Sequence, residues 1–545
     1  MRAVDYILIG ALTIILALQL HLQFVQKINW DEFFYLSHIY DAQNGRLDKA
    51  LQMGHVYLFG WLTHVPGGEM AQITSGRIVM WAVQLGTIIL IVRTACKFMS
   101  LTAALVSALC FLGFGFIFIH GTSFRADPLA AFLMMFAVYV LAATELNFRD
   151  LASLSVALAL GVFVTIKVIL FAPLLAILAL WRLYESETKG TLLCKFVAAA
   201  LAALTLCLMA LAAHRLTLQP PQIVQPSSSL SATFKTIFLS GGLFPRMALM
   251  KVGLFSGLLS SILIGLGIAA ALWAASTDKR NRKIALIMLA MGIPLLSFVF
   301  YRNAYPYFYA FILPSAALLA GYGVHRLNIS KPILLGVGLL VSANVLWIYG
   351  TRIDETRAVQ AQILAAVHKI FPEPVHYFDR NGTIASFPKA GFFMSSWGLR
   401  NYKLNGVSRF NHELSRITIP LIIDNSPVIS AALRGEPSEL SETDAKVLNG
   451  NYIPHWGHIW VAGKTLSVSD NPVRFHMAVP GTYTLEAEKS ATINQETYLP
   501  GNIVVLERGE SVISSSIQQT ITLRWGDNLN RPKFEASDLP IFGAF

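Results

Sequence analysis

Along the first 350 positions, apolar runs of 17–24 residues alternate with short polar breaks. A helix needs roughly 20 residues to cross about 30 Å of hydrocarbon, so each run predicts one membrane-spanning helix. The runs cover residues 4–25, 73–92, 101–119, 128–146, 192–213, 252–275, 284–300, 306–323 and 332–349. Residues 151–181 break this rhythm, with 31 residues and Lys167 as their one charge. One span would be over-long there and two would be short, so the count is 10 or 11. Pro220–Pro221 and Pro226, with three serines after it, predict an irregular loop between the 192–213 and 252–275 runs.

Beyond residue 350 the pattern changes. A helix is predicted over 355–370, with short β runs at 375–378 and 421–423. From residue 473 the reading is strands separated by turn signals, as in Gly481-Thr-Tyr-Thr-Leu485, Gly501-Asn-Ile-Val-Val-Leu506 and Gln519-Thr-Ile-Thr-Leu-Arg-Trp525. The expected organisation is a membrane domain over 1–350, with 26–72 as its first outer loop. An α/β region over 351–465 and a small β-sandwich over 466–545 follow. Such a sandwich either binds glycan or packs over the membrane part, the commoner arrangement.

Composition excludes an ordinary soluble enzyme: 55% of residues are hydrophobic and 13% charged, about half the usual charged share. Charge then sets the topology. Residues 1–350 hold 24 Lys and Arg against 12 Asp and Glu, whereas 351–545 hold 18 against 19. The basic surplus lies in the apolar part, which points to membrane topology and away from nucleic acid. If residues 151–181 form two helices turning at 165–167, three basic loops share the side of the N-terminus. They are Arg182/Lys189/Lys195, Lys279/Arg280/Arg282/Lys283 and Arg326/Lys331. The positive-inside rule then predicts 11 spans, a cytoplasmic N-terminus and an extracytoplasmic tail. Asp5 interrupts the basic start and no small-x-small site precedes Lys27, so residues 4–25 read as a retained span. Cys96, Cys110, Cys194 and Cys207 all lie in or beside apolar runs, with neither disulfide framework nor zinc spacing.

Six acids of the first 350 residues face outward in this topology: Asp31, Glu32, Asp41, Asp48, Glu69 and Asp127. Asp31 and Glu32 open an aromatic helical stretch whose Phe33, Leu36 and Tyr40 share one face, as in a helix lying in the membrane interface. Local structure offers its own account of these acids. Asn29 with Glu32 matches a capping box, and Asp127 before Pro128 matches an N-cap. Arg125, Lys167 and Arg302 match snorkelling anchors. The topology nevertheless gathers Asp31, Glu32, Arg125, Asp127, Lys167 and Arg302 at one membrane face. Carboxylates can take a proton from a hydroxyl, and cations can hold a departing phosphate. That combination suits chemistry on a lipid phosphate.

Asn29-Trp-Asp-Glu-Phe-Phe-Tyr, placed after the first span, resembles the acidic motif of polytopic GT-C glycosyltransferases. The similarity is to the protein O-mannosyltransferase and lipid A aminoarabinose transferase group. It extends to Ser123-Phe-Arg-Ala-Asp127, Thr165-Ile-Lys167 and Tyr301-Arg-Asn-Ala-Tyr-Pro-Tyr307, and covers roughly residues 1–350. The resemblance implies sugar transfer from a polyprenyl-phosphate donor with inversion, at the outer face of a bacterial inner membrane. By it, Asp31 is the catalytic base, with Glu32 beside it and Asp127 as a second acid. Lys167, Arg302 and Arg125 would hold the donor phosphate. His55 could contact phosphate or bind a metal, although a lone loop histidine more often does neither, and Tyr301 and Tyr305 could stack on sugar, although an aromatic belt explains such tyrosines as well. The sequence departs from the group at Gln52-Met-Gly-His-Val-Tyr-Leu58, which keeps His55 but lacks the group's prolines. No metal or other cofactor is expected. The sugar stays open, and so does the acceptor, whether lipid, polysaccharide or protein. A lipid-linked-sugar flippase is the rival reading, although it predicts internal repeats that the chain lacks. A non-catalytic scaffold with a glycan-binding tail would leave the polar outer turns unexplained.

Overall fold

The computed structural model describes residues 3–48, 54–219 and 242–543. Arg2, Gln52, Met53 and the Pro220–Pro221/Pro226 loop lie outside the described residues. Among the described residues, eight helices are long and apolar enough to cross a membrane, or nine if the bent pair Arg282–Met291 and Ile293–Val299 is one span. The chain is an integral membrane protein.

The helices that position the site are α1 (Ala3–Val25), α2 (Trp30–Gln43), α3 (Gly68–Ala95), α4 (Ala126–Ala143), α5 (Phe148–Val164), α6 (Ala172–Glu185), α7 (Phe308–Arg326) and α8 (Thr356–Ile370). α7 lies at the centre of the bundle, with its whole run from Phe308 to Val324 buried. Close approach there depends on glycine: a Cβ on Gly267 would fall 1.9 Å from the Leu319 carbonyl oxygen.

The 151–181 stretch breaks at Thr165, which is extended at φ −162°, ψ 138°. Two contacts show that the chain reverses there. Lys167 Nζ lies 2.6 Å from Asp127 Oδ1 at the start of α4, and Arg182 Nη2 donates to the Thr144 carbonyl just past its end. The segment after Thr165 therefore runs the length of α4, back toward the end where α5 begins.

The tail carries two sheets. In the eight-stranded sheet the spatial order is Ile503–Leu506, Gly481–Glu486, Gln519–Trp525, Ile459–Val468, Leu421–Ile423, Tyr377–Phe378 and Lys389–Ala390, and Tyr452–Trp456 also pairs with Ile459–Val468. The Tyr377–Phe378 strand pairs in parallel with both its neighbours, while the rest is antiparallel. Val473–Met477, Gly509–Ser514, Ala491–Ile493 and Glu496–Tyr498 form the second sheet. Met477, Ile493 and Ile513 share one core with Leu485, Leu506 and Leu523, so the end of the chain is a two-sheet sandwich. Strand Ile459–Val468 passes through position 465, which makes the larger sheet continuous from residue 377 to residue 525.

The tail sits on the bundle through α2. Phe33, Leu36 and Ile39 are fully buried in a core shared with Ile363 and Val367 of α8, Tyr377, and Ile73 of α3. The expected lipid-facing surface of this helix is therefore covered by protein, because tail residues distant in sequence supply its apolar partners.

A polar junction reinforces this contact. Glu69, at the start of α3, accepts from Ser386 Oγ (2.7 Å) and pairs with His368 Nε2 of α8 (3.0 Å). The hydrogen bond to Glu69 raises the His368 pKa, against partial burial that lowers it. A raised folded-state value means the pair stabilises fully below the unfolded value of about 6.5 and fades as pH rises through the folded one. The apparent Tm of the purified chain should fall more between about pH 6 and 8.5 than that of His368→Gln. Equal slopes in a thermal melt series would remove this pair from the account.

Candidate functional site

The site begins with α2. Asn29 caps it, and its side chain accepts from the Asp31 amide while Glu32 accepts from the Asn29 amide, which completes the capping box. The two adjacent acids then part company. Glu32 is fully buried and chelates Arg77 of α3 (Nε–Oε1 2.7 Å, Nη2–Oε2 2.6 Å), with the Phe124 amide as a further donor at 2.8 Å. Burial opposes ionisation of Glu32, yet Arg77 and the Asn29 and Phe124 amides hold its carboxyl below the ordinary range.

Asp31 points the other way and keeps 15% of its side chain exposed. Its Oδ2 is bound by Arg125 Nη1, and among the described residues nothing donates to Oδ1. Arg125 is the extended residue before α4, at φ −146°, ψ 167°. Its Nε lies 3.5 Å from Asp127 Oδ2, and Asp127 Oδ1 takes Lys167 Nζ at 2.6 Å. Four alternating charges thus form a chain, Asp31–Arg125–Asp127–Lys167, at one end of the bundle. Asp127 does not cap α4 as expected: the helix starts one residue earlier, and its carboxylate bridges the two cations instead. Burial works against the Arg125 charge, and Asp31 leads the neighbours that more than offset it.

Tyr307 completes the cluster. Its ring lies 3.5 Å from the Arg125 guanidinium carbon and 5.1 Å from Lys167 Nζ, within cation–π range of both. Tyr35, one turn after Asp31, lies 6.0 Å from the same guanidinium. The tail also reaches in. Arg380 sits 4.4 Å over the Trp30 ring, and Asn381 Nδ2 donates to the Trp30 carbonyl at 3.0 Å.

The remaining expected residues lie outside this chain of charges. His55 packs edge-on against Tyr35 at 4.5 Å. Tyr305 stacks on Tyr307 at 5.9 Å and lies under Arg246 at 4.4 Å, while Tyr301 stacks on Phe308 at 4.6 Å. Arg302 is placed over Trp397 of the tail at 5.0 Å, and its carbonyl accepts from Arg246 Nε. Among the described residues no three His, Cys, Asp or Glu side chains come together to hold a metal ion. Three participants had no assigned part in the sequence reading: Arg77, Tyr35 and Arg380. Arg77 could have been found there, as the lone charge of its predicted span.

This bundle, with the segment after its first span folded under a C-terminal sheet domain, has the GT-C glycosyltransferase fold. ArnT from Cupriavidus metallidurans, solved bound to undecaprenyl phosphate, aligns with a TM-score of 0.57 over 81% of this chain and 96% of its own, at 13% identity. The Archaeoglobus fulgidus oligosaccharyltransferase in its apo form aligns over 98% of both chains with a TM-score of 0.50 and 11% identity. No protein-family model matches the chain, and no curated protein sequence does.

Proposed function

We propose that this chain is an inverting glycosyltransferase that moves a monosaccharide from a polyprenyl-phosphate donor to an acceptor hydroxyl at the extracytoplasmic face. The observation that carries the reading is the Asp31–Arg125–Asp127–Lys167 chain at one bundle end. The undecaprenyl phosphate bound by the similarly folded ArnT supports the donor class. Residues 1–350 would hold the donor, and the tail would cover the site.

The acceptor O–H lies against Asp31 Oδ1 and passes its proton to that carboxylate as the oxygen attacks the anomeric carbon. The bond from that carbon to the phosphate oxygen breaks, and its electron pair leaves with the polyprenyl phosphate. Lys167 and Arg125 stabilise the charge that develops on this oxygen, aided by the low dielectric of a buried site. Asp127 holds both cations in position, and Glu32 fixes the helix that presents Asp31. Arg302, His55, Tyr301 and Tyr305 belong to the surrounding layer that shapes donor entry.

A charge-assisted hydrogen bond contributes about 1.5–3 kcal/mol. Lys167→Met should therefore weaken undecaprenyl phosphate binding to the detergent-purified chain by roughly 10–100-fold. Binding at wild-type affinity would remove Lys167 from the donor site. Release of polyprenyl phosphate from a labelled donor in detergent, where no membrane exists to be crossed, separates transfer from flipping.

A further inference from the structure

Between α2 and the tail lies a cavity of about 1020 Å³ that none of the groups above occupies. Its described walls are α2, through Phe34, Ser37, His38 and Asp41, the following segment at Gly45, Arg46 and Asp48, Gln219, His376 and tail residues from 388 to 417. It adjoins the charged cluster, because Asp31, Phe34 and His38 fall on neighbouring positions of the same helical face. Its size is at the upper end of small-ligand pockets, large enough for several linked units.

The chemistry of the walls narrows the occupant. Among the 25 described lining residues only Leu404, Val407 and Ile417 are branched aliphatics, and the rest of the apolar surface is mainly aromatic. Among the described lining residues, the cations Arg46, Lys389 and Arg409 stand against the carboxylates Asp41, Asp48 and Glu413, so this wall carries no surplus of positive charge. Arg46 pairs with Asp41 (3.4 Å), Arg409 with Glu413 (2.9 Å), and Lys389 Nζ bonds the carbonyls of Ala390 and Phe392. The wall also contains the sheet's terminal strand, Lys389–Ala390, where an extended peptide could add itself. That edge is blocked: Lys389 Nζ occupies the Ala390 carbonyl, and the Gly391 amide is spent on Glu413. What remains is aromatic surface and short polar groups. Phe393 stacks on Phe34 at 4.3 Å and Phe392 on Tyr402 at 4.9 Å, beside Asn401, Asn405 and Ser395. Flat rings match the C–H faces of sugar rings, while amides and hydroxyls both donate to and accept from sugar hydroxyls.

We propose that this cavity holds the acceptor, and that the acceptor is an uncharged carbohydrate chain. The acceptor role rests on the glycosyltransferase reading, whereas the binding does not.

The test uses the full chain in detergent and fluorescently end-labelled linear gluco-, manno-, galacto- and arabino-oligosaccharides of two to six units, with no donor present. At least one series should bind more tightly as it lengthens. Phe393→Leu, which keeps an apolar side chain but removes the flat ring, should weaken that binding tenfold or more, and Phe393→Tyr should retain it. Matched melting curves for the two variants confirm that both are folded. Binding that Phe393→Leu leaves unchanged overturns the proposal. So does failure of every series, or preferential binding of a labelled octapeptide mixture. Release of polyprenyl phosphate from a labelled donor, measured on the same preparations, separately reports whether the transferase reading stands.

Discussion

Asp31→Asn should lower sugar transfer by roughly 10²–10⁴-fold, the range that a positioned general base contributes, while donor binding and folding persist. Of the three acids at this bundle end, Glu32 is fully buried and Asp127 1% exposed, and both spend their oxygens on cations or amides. Asp31 alone combines partial exposure with an oxygen that accepts no bond among the described residues. Asparagine keeps the shape and can still accept from Arg125, but it cannot take up the proton of an attacking hydroxyl. The loss should therefore appear in kcat, with little change in undecaprenyl phosphate affinity. Turnover within a few-fold of wild type would dismiss Asp31 as the base. A collapse of donor binding in the same variant would reassign it to holding the donor.

Much of this arrangement is legible in the sequence. The three basic loops predict a reversal near residue 165, and the contacts to Asp127 and Thr144 at opposite ends of α4 show it. Asn29 and Glu32 announced a capping box, which formed. What the residues could not reveal was how two neighbouring acids divide their work. That division depends on Arg77, 45 residues further on, and on the Phe124 amide, which are brought to Glu32 by helix packing alone. Arg302 has a neighbour that its local sequence does not show: the tail folds over its turn, and the Trp397 ring lies 5.0 Å from the guanidinium. The burial of α2 was hidden for the same reason, since its partners Ile363, Val367 and Tyr377 lie more than 300 positions away.

The second large effect concerns stability. Glu32 receives four hydrogen bonds, two from Arg77 and one each from the Asn29 and Phe124 amides. Arg77 also donates to the carbonyls of Gln26 (3.2 Å) and Lys27 (2.9 Å), just past the end of α1. One ion pair thus joins α1, α2, α3 and the segment leading to Arg125. Removing either partner leaves a buried charge without compensation, which costs about 3–5 kcal/mol. Glu32→Gln and Arg77→Met should each lower the apparent Tm sharply, and the double variant should lose less than the two losses combined, because no lone charge is left. Activity should follow stability, falling in each single variant as Asp31 is misplaced and partly returning in the double. This separates the two acids functionally. A base cannot be restored by deleting its counter-ion, whereas a brace made redundant by that deletion can. If Glu32→Gln melts like wild type yet transfers no sugar, the base is Glu32, and Asp31 serves to hold Arg125.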